Sequence, residues 1–191
     1  MPSLQASQRR KKGKKPLDRQ ALEQMALAYV ARYATSSAKL VAYLKRKIRE
    51  RGWLDDEPPS DPEALAERYV ELGYIDDAAF ARIRQDGLLR RGYGKRRVDQ
   101  ALGAAGIDEG LREEISPGEA ARRHALLAFM KRRRFGPFAT EPPDREKREK
   151  QLAAMLRAGH SLDDARELAD LDTPKAAEEW AHELDDDCYE D

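Results

Sequence analysis

The chain has 191 residues, 38% of them charged and only 7% aromatic, and its 36 basic and 36 acidic side chains leave no formal net charge. That composition allows one medium domain or several small units with modest cores. It excludes a bilayer span, because no apolar run approaches the roughly 18–20 residues needed, and it excludes a disulfide framework, because Cys188 is the single cysteine.

At the N-terminus, residues 1–19 carry Arg9, Arg10, Lys11, Lys12, Lys14, Lys15 and Arg19 against one acid, Asp18, with almost nothing apolar; a disordered basic arm is expected. The arm is not followed by the apolar core of a secretory signal, so a cytoplasmic chain is expected. Helical spacing then begins, first with Leu22, Met25, Tyr29 and Tyr33, then with Leu40, Leu44 and Ile48, then with Leu65, Tyr69 and Leu72. It continues through Ala79, Phe80 and Ile83, through Val98, Ala101, Leu102 and Ala105, and through Leu126, Leu127 and Met130. Leu152, Met155 and Leu156, then Leu162, Ala165 and Ala169, with a short helix at 108–115, complete about nine helices, and no comparable strand alternation appears. Ser60-Asp61-Pro62-Glu63 and Ser116-Pro117-Gly118-Glu119 match the capping box with serine as the cap, and Ser36 or Ser37 and Ser161 are further caps. Gly73, Gly106 and Gly159 follow apolar runs as helix stops.

The spacing of Leu44, Ile48 and Gly52 is matched by Val98, Leu102 and Gly106, and, one residue short, by Leu152, Leu156 and Gly159. The expectation is an all-α fold, an elongated tandem array of three three-helix repeats over 20–74, 75–116 and 117–171. The basic arm of 1–19 precedes it. An acidic tail of 172–191 follows, since Arg166 and Lys175 are the only bases after Leu162.

Features that resemble chemistry give way to plainer readings. Gly87-Leu88-Leu89-Arg90-Arg91-Gly92 has the glycine spacing of a phosphate loop, but Tyr93 stands where the lysine belongs and no strand precedes it. His124, His160 and His182 are far apart in sequence, so no metal site is expected. Asp76 and Asp77 read as a helix cap, with Ile75 and Phe80 as its hydrophobic staple. Tyr93, Trp53, Tyr74 and Phe135 read as packing at helix junctions. No catalytic residue and no cofactor is expected. The basic clusters are different: Arg82, Arg84, Arg90, Arg91, Lys95, Arg96 and Arg97 face one acid, Asp86, and Lys131, Arg132, Arg133 and Arg134 follow. Charge runs are usually solvated helix faces, yet arginine excess favours forked recognition of phosphate or carboxylate.

Gly73-Tyr74-Ile75-Asp76-Asp77-Ala78-Ala79-Phe80-Ala81 resembles the signature G-Y-[LI]-D-D-x-x-F-A of the RecX family. Arg91-Gly92-Tyr93-Gly94-Lys95-Arg96-Arg97-Val98, with Ala101-Leu102 and Gly106-Ile107, resembles the segment R-x-G-x-x-[RK]-[IV]…L…G-[IV] that follows it there. Weaker similarity runs from about Leu22 to Leu171, including Tyr43-Leu44-Lys45-Arg46-Lys47 and the stretch from Arg148 to Leu156. The resemblance implies a non-enzymatic modulator, usually an inhibitor, of the RecA recombinase. Such proteins are tandem three-helix repeats that lie in the groove of the RecA filament on single-stranded DNA and limit ATP hydrolysis and strand exchange, with a place in the SOS response.

Charge rather than any family motif nominates Arg82, Arg90, Arg91, Lys95, Arg96, Arg97, Arg132, Arg133 and Arg134 as the residues that meet the filament or exposed phosphate. A monomer is expected, with weak direct DNA contact. Two rivals remain: a sequence-nonspecific DNA-binding protein that acts without RecA, and a purely structural adaptor. Strong salt dependence on bare DNA marks the first, and binding to neither DNA nor filament marks the second.

Overall fold

Helix dominates residues 15–56 and 58–185, the residues that this computed structural model describes. Among them are α1 (Arg19–Arg32), α2 (Ser37–Arg51), α3 (Pro62–Glu71), α4 (Asp77–Arg90) and α5 (Lys95–Gly103). They are followed by α6 (Glu109–Glu114), α7 (Glu119–Arg133), α8 (Arg145–Ala158), α9 (Leu162–Ala169) and α10 (Pro174–His182), with a 3₁₀ turn, Gly136–Phe138, between α7 and α8. The described residues contain no β-strand; Leu17 and Trp53 form an isolated parallel bridge. None of these helices is long and apolar enough to cross a membrane. Most of the basic arm, Arg9 to Lys14, and Cys188 lie outside the described residues.

Local chemistry explains where the helices begin. Ser36 accepts from Lys39 N–H at 3.3 Å, Asp76 from Ala79 N–H at 2.8 Å and Ser161 from Asp164 N–H at 3.1 Å, each satisfying an orphan amide of a first turn. Two expected caps move. Asp61, not Ser60, caps α3, because Pro62 suits the first helical position and the cap is the residue just before it. Ser116 does not cap α7: its amide donates to Glu113 O at 3.1 Å and so belongs to the end of α6, while α7 starts at Glu119 after Gly118.

The chain divides into two compact units at the Ile75–Asp76 bond. In the first, α1–α3 enclose one core around Leu22, Ala26, Leu40, Leu44, Leu65 and Tyr69. Leu17, from the segment expected as a disordered arm, is fully buried there; its N–H donates to Gly52 O at 2.9 Å and its carbonyl accepts from Leu54 N–H at 3.0 Å. In the second unit, α4–α6 enclose a core around Ala81, Leu88, Val98, Leu102 and Ile107, and α7–α10 enclose another around Leu126, Met130, Met155, Leu168 and Trp180. Tyr93 packs against both.

The whole of α10 falls in the range 172–191 that the acid count marked as a tail. Thr173 caps it, Pro174 opens it, and Ala177, Trp180 and Ala181 are buried along one face while Glu178 and Glu179 point to water. A face of two alanines and a tryptophan carries little aliphatic signal, and the acids around it hide the period. Four side chains read as core are instead substantially exposed: Tyr33, Leu72, Leu162 and above all Ile83, at 68%.

Candidate functional site

The α4–α5 turn, Arg91 to Gly94, is clamped by backbone on two sides. Gly92 has φ +76, and a Cβ there would come within 2.8 Å of Phe129 N on α7. A Cβ on Gly94 would run into the Gly159 carbonyl, and one on Gly159, at φ +99, would meet Arg97 N at 2.5 Å. Across this glycine contact the end of α8 meets the start of α5: Gly94 N–H donates to Ala158 O at 3.0 Å and Arg96 N–H to Gly159 O at 3.2 Å. Donors and acceptors that helix ends leave without partners thus satisfy one another.

His160 closes the joint. Its Nε2–H donates to Gly92 O at 3.0 Å, and its ring lies 5.6 Å from that of Phe129. Burial pulls the imidazole pKa below its ordinary value, against the opposing pull of the Gly92 hydrogen bond and of Asp164. Burial thus favours the neutral ring, and the carbonyl it faces favours the proton on Nε2.

The clamp positions the arginines nominated from charge, and all nine are exposed. Arg132 reaches across from α7 to donate to Arg91 O, so Arg91 and Arg132 share one spot at the joint. Arg91 itself donates from Nε to Gly87 O at 2.8 Å and lies over the Tyr93 ring. Lys95, Arg96 and Arg97 occupy the first turn of α5, with Arg96 donating to Leu156 O at 3.3 Å. Lys95 and Arg96 line a cleft of about 380 Å³ together with Arg122 and His160. Arg133 lies over Phe129 and Phe135, and Arg134 ends α7 in the left-handed conformation, φ 54°. Arg90 ends α4 and Arg82 stands two turns earlier, where it pairs with Glu114 of α6 at 3.5 Å. Lys131 turns away toward α10, pairing with Glu178 at 2.5 Å.

A second seam joins α7 to α10 through charged side chains. Arg123, its side chain only 13% exposed, lies 4.5 Å from the Trp180 ring and donates to Trp180 O at 3.0 Å, to Glu183 at 2.8 Å and to Glu119 at 2.9 Å. Burial opposes its charge, but the Glu183 and Glu119 carboxylates outweigh that and raise its pKa. One residue on, His124 Nε2 lies 2.7 Å from Asp185 Oδ1, and His182 Nδ1 lies 2.7 Å from Asp185 Oδ2. Hydrogen bonds from both imidazoles hold the Asp185 carboxyl below its ordinary pKa. The wide separation of the histidines in sequence gave no sign of this cluster. Ile83, apolar and exposed between Arg82 and Arg84, was also missed, because its helical spacing reads as core.

The described residues define an all-helical protein with exposed arginines, Arg91, Arg96 and Arg132 among them, at a glycine-clamped joint. No protein-family model matches the chain. Relatives do: it is 31% identical over 157 residues to a protein of Myxococcus xanthus named "Regulatory protein RecX", covering 78% of this chain and 84% of that one. Proteins of the same name from Agrobacterium fabrum, at 30% identity over 70% of this chain and 73% of the relative, and from Deinococcus radiodurans, at 30% over 87% and 79%, agree. The chain belongs to the RecX family.

Proposed function

We propose that this chain is a non-enzymatic modulator of the RecA recombinase, an inhibitor that binds the RecA filament on single-stranded DNA in the cytoplasm and limits ATP hydrolysis and strand exchange. Membership of a family of regulatory proteins carries this reading. The arginine face of the second unit is the surface that meets the filament. Lys95, Arg96 and Arg97 crowd the first turn of α5, where the helix dipole disfavours cations and the turn itself holds no acid. A local electrostatic cost retained at the surface is what a binding face explains and a merely solvated one does not. Ile83 adds an exposed apolar contact among the arginines, and arginine with large apolar side chains is the composition enriched at interface centres.

In the same reading the three helical groups, α1–α3, α4–α6 and α7–α9, are the tandem repeats, and α10 is an addition to the third. The test titrates this protein into RecA on single-stranded DNA, following ATP hydrolysis, and follows binding to filament and to bare strand in parallel. Hydrolysis should fall as the protein is added, with filament bound well before bare DNA. Equal binding to bare DNA with a steep salt dependence, and no change in hydrolysis, would favour the direct DNA-binding reading instead.

A further inference from the structure

We propose that His124, His182 and Asp185 form a binding site for a divalent transition metal of the zinc class, which fastens the C-terminal helix α10 to α7. The three side chains come from α7, from the last position of α10 and from just beyond it. One ligand atom from each lies within 4.8 Å of the others, the two imidazole rings are 4.7 Å apart, and Asp185 offers one oxygen to each. Zinc–ligand bonds run about 2.0–2.2 Å, so a small rotation of these exposed or half-buried side chains brings all three onto one ion.

The supporting backbone is fixed. Ala125 and Ala181, next to the two histidines, are buried, and Arg123 ties α7 to Trp180 O and Glu183. Arg123 is the cation nearest the cluster in sequence, and Glu119 and Glu183 together outweigh its charge.

Two imidazoles and one carboxylate are a borderline donor set that suits Zn²⁺, Co²⁺, Ni²⁺ or Cu²⁺ and not Mg²⁺ or Ca²⁺, which prefer oxygen cages. Three protein ligands leave a coordination position for water. The site shares no residue with the arginines proposed to meet RecA, and its tests do not involve that partner.

Co²⁺ titrated into the full chain is the probe, read by visible d–d absorption, with Zn²⁺ as competitor. One Co²⁺ per chain should bind, Zn²⁺ should displace it and excess Mg²⁺ should not. His124→Gln, His182→Gln and Asp185→Asn should each weaken binding by more than about 10-fold, since even residues one shell outside a metal cost about 10- to 100-fold. His182 is exposed, so its replacement leaves the core intact, and circular dichroism checks the fold. Zn²⁺ should also raise the melting temperature of the wild type and not that of His182→Gln. Undiminished Co²⁺ binding in the three variants would overturn the site, as would its loss in Cys188→Ser with retention in His182→Gln.

Discussion

The second unit is held together at two seams built on opposite principles. Where α5 meets α8, backbone touches backbone: glycines at 94 and 159 remove the side chains, as Gly92 does against α7, and helix-end amides find helix-end carbonyls. Where α7 meets α10, side chains do the joining, through Arg123, Lys131 and the His124–Asp185–His182 cluster. The first seam tolerates no added atom and the second tolerates no lost charge. A rigid backbone joint suits a face that must hold several arginines in fixed relation, whereas a charged seam suits a segment whose attachment depends on ions.

Gly94→Ala should be the most damaging single change. Gly94 and Gly118 are both N-cap glycines in extended backbone without a side-chain cap, but a Cβ at 94 strikes the Gly159 carbonyl and a Cβ at 118 meets nothing within 4 Å. Gly94→Ala should cost about 3 kcal/mol, the upper range for overpacking, and Gly118→Ala no more than about 1 kcal/mol. Melting temperatures of the two variants check this, and equal shifts would break the distinction between the seams. Arg123→Ala should come next, costing about 2 kcal/mol, because it strips charge-assisted bonds from Glu119 and Glu183 and leaves Trp180 O without that donor. Denaturant unfolding measures that loss, and proteolysis should show α10 released first.

The smallest effect is that of His160. Its folded-state pKa is lowered by burial, so the unfolded chain takes up the proton first as pH falls. Its contribution is fully present above the unfolded value of about 6.5 and is lost as pH falls through the folded value. Melting temperature should therefore drop on acidification below about pH 6.5, and His160→Gln, which keeps a donor for Gly92 O, should flatten that drop. Asp164, the acid that acts on His160, moderates it.

Much of the helix content was legible because apolar spacing, caps and glycine stops agreed, as at Asp76 and Gly159. What failed did so for identifiable reasons. The face of α10 is Ala177, Trp180 and Ala181, which carries little aliphatic period, and its acids pointed to a tail. Ile83 has core spacing but faces water, since Phe80, Ala81 and Leu88 already serve the core of α4–α6.

The candidate face was legible as charge but not as geometry. Gly92, Gly94 and the arginines between 90 and 97 stand out in the sequence, yet their counterparts Phe129, Arg132, Gly159 and His160 are 37 or more positions away, and only folding brings them together. The same distance concealed the pairing of His124 with His182 and Asp185.

The most direct measurement compares charge reversals on the two basic regions for binding to RecA filaments on single-stranded DNA. Arg90→Glu with Arg97→Glu alters exposed side chains of the joint, and Arg9→Glu, Arg10→Glu, Lys11→Glu and Lys12→Glu alter the N-terminal segment. Exposed reversals change stability by no more than about 0.5 kcal/mol each, whereas a charge-assisted interface contact contributes about 1.5–3 kcal/mol, a factor of roughly ten or more in affinity. The Arg90/Arg97 variant should lose filament binding with helix content and melting temperature nearly intact, while the N-terminal variant should keep most of it. Loss in the N-terminal variant with retention in the Arg90/Arg97 variant would contradict that expectation.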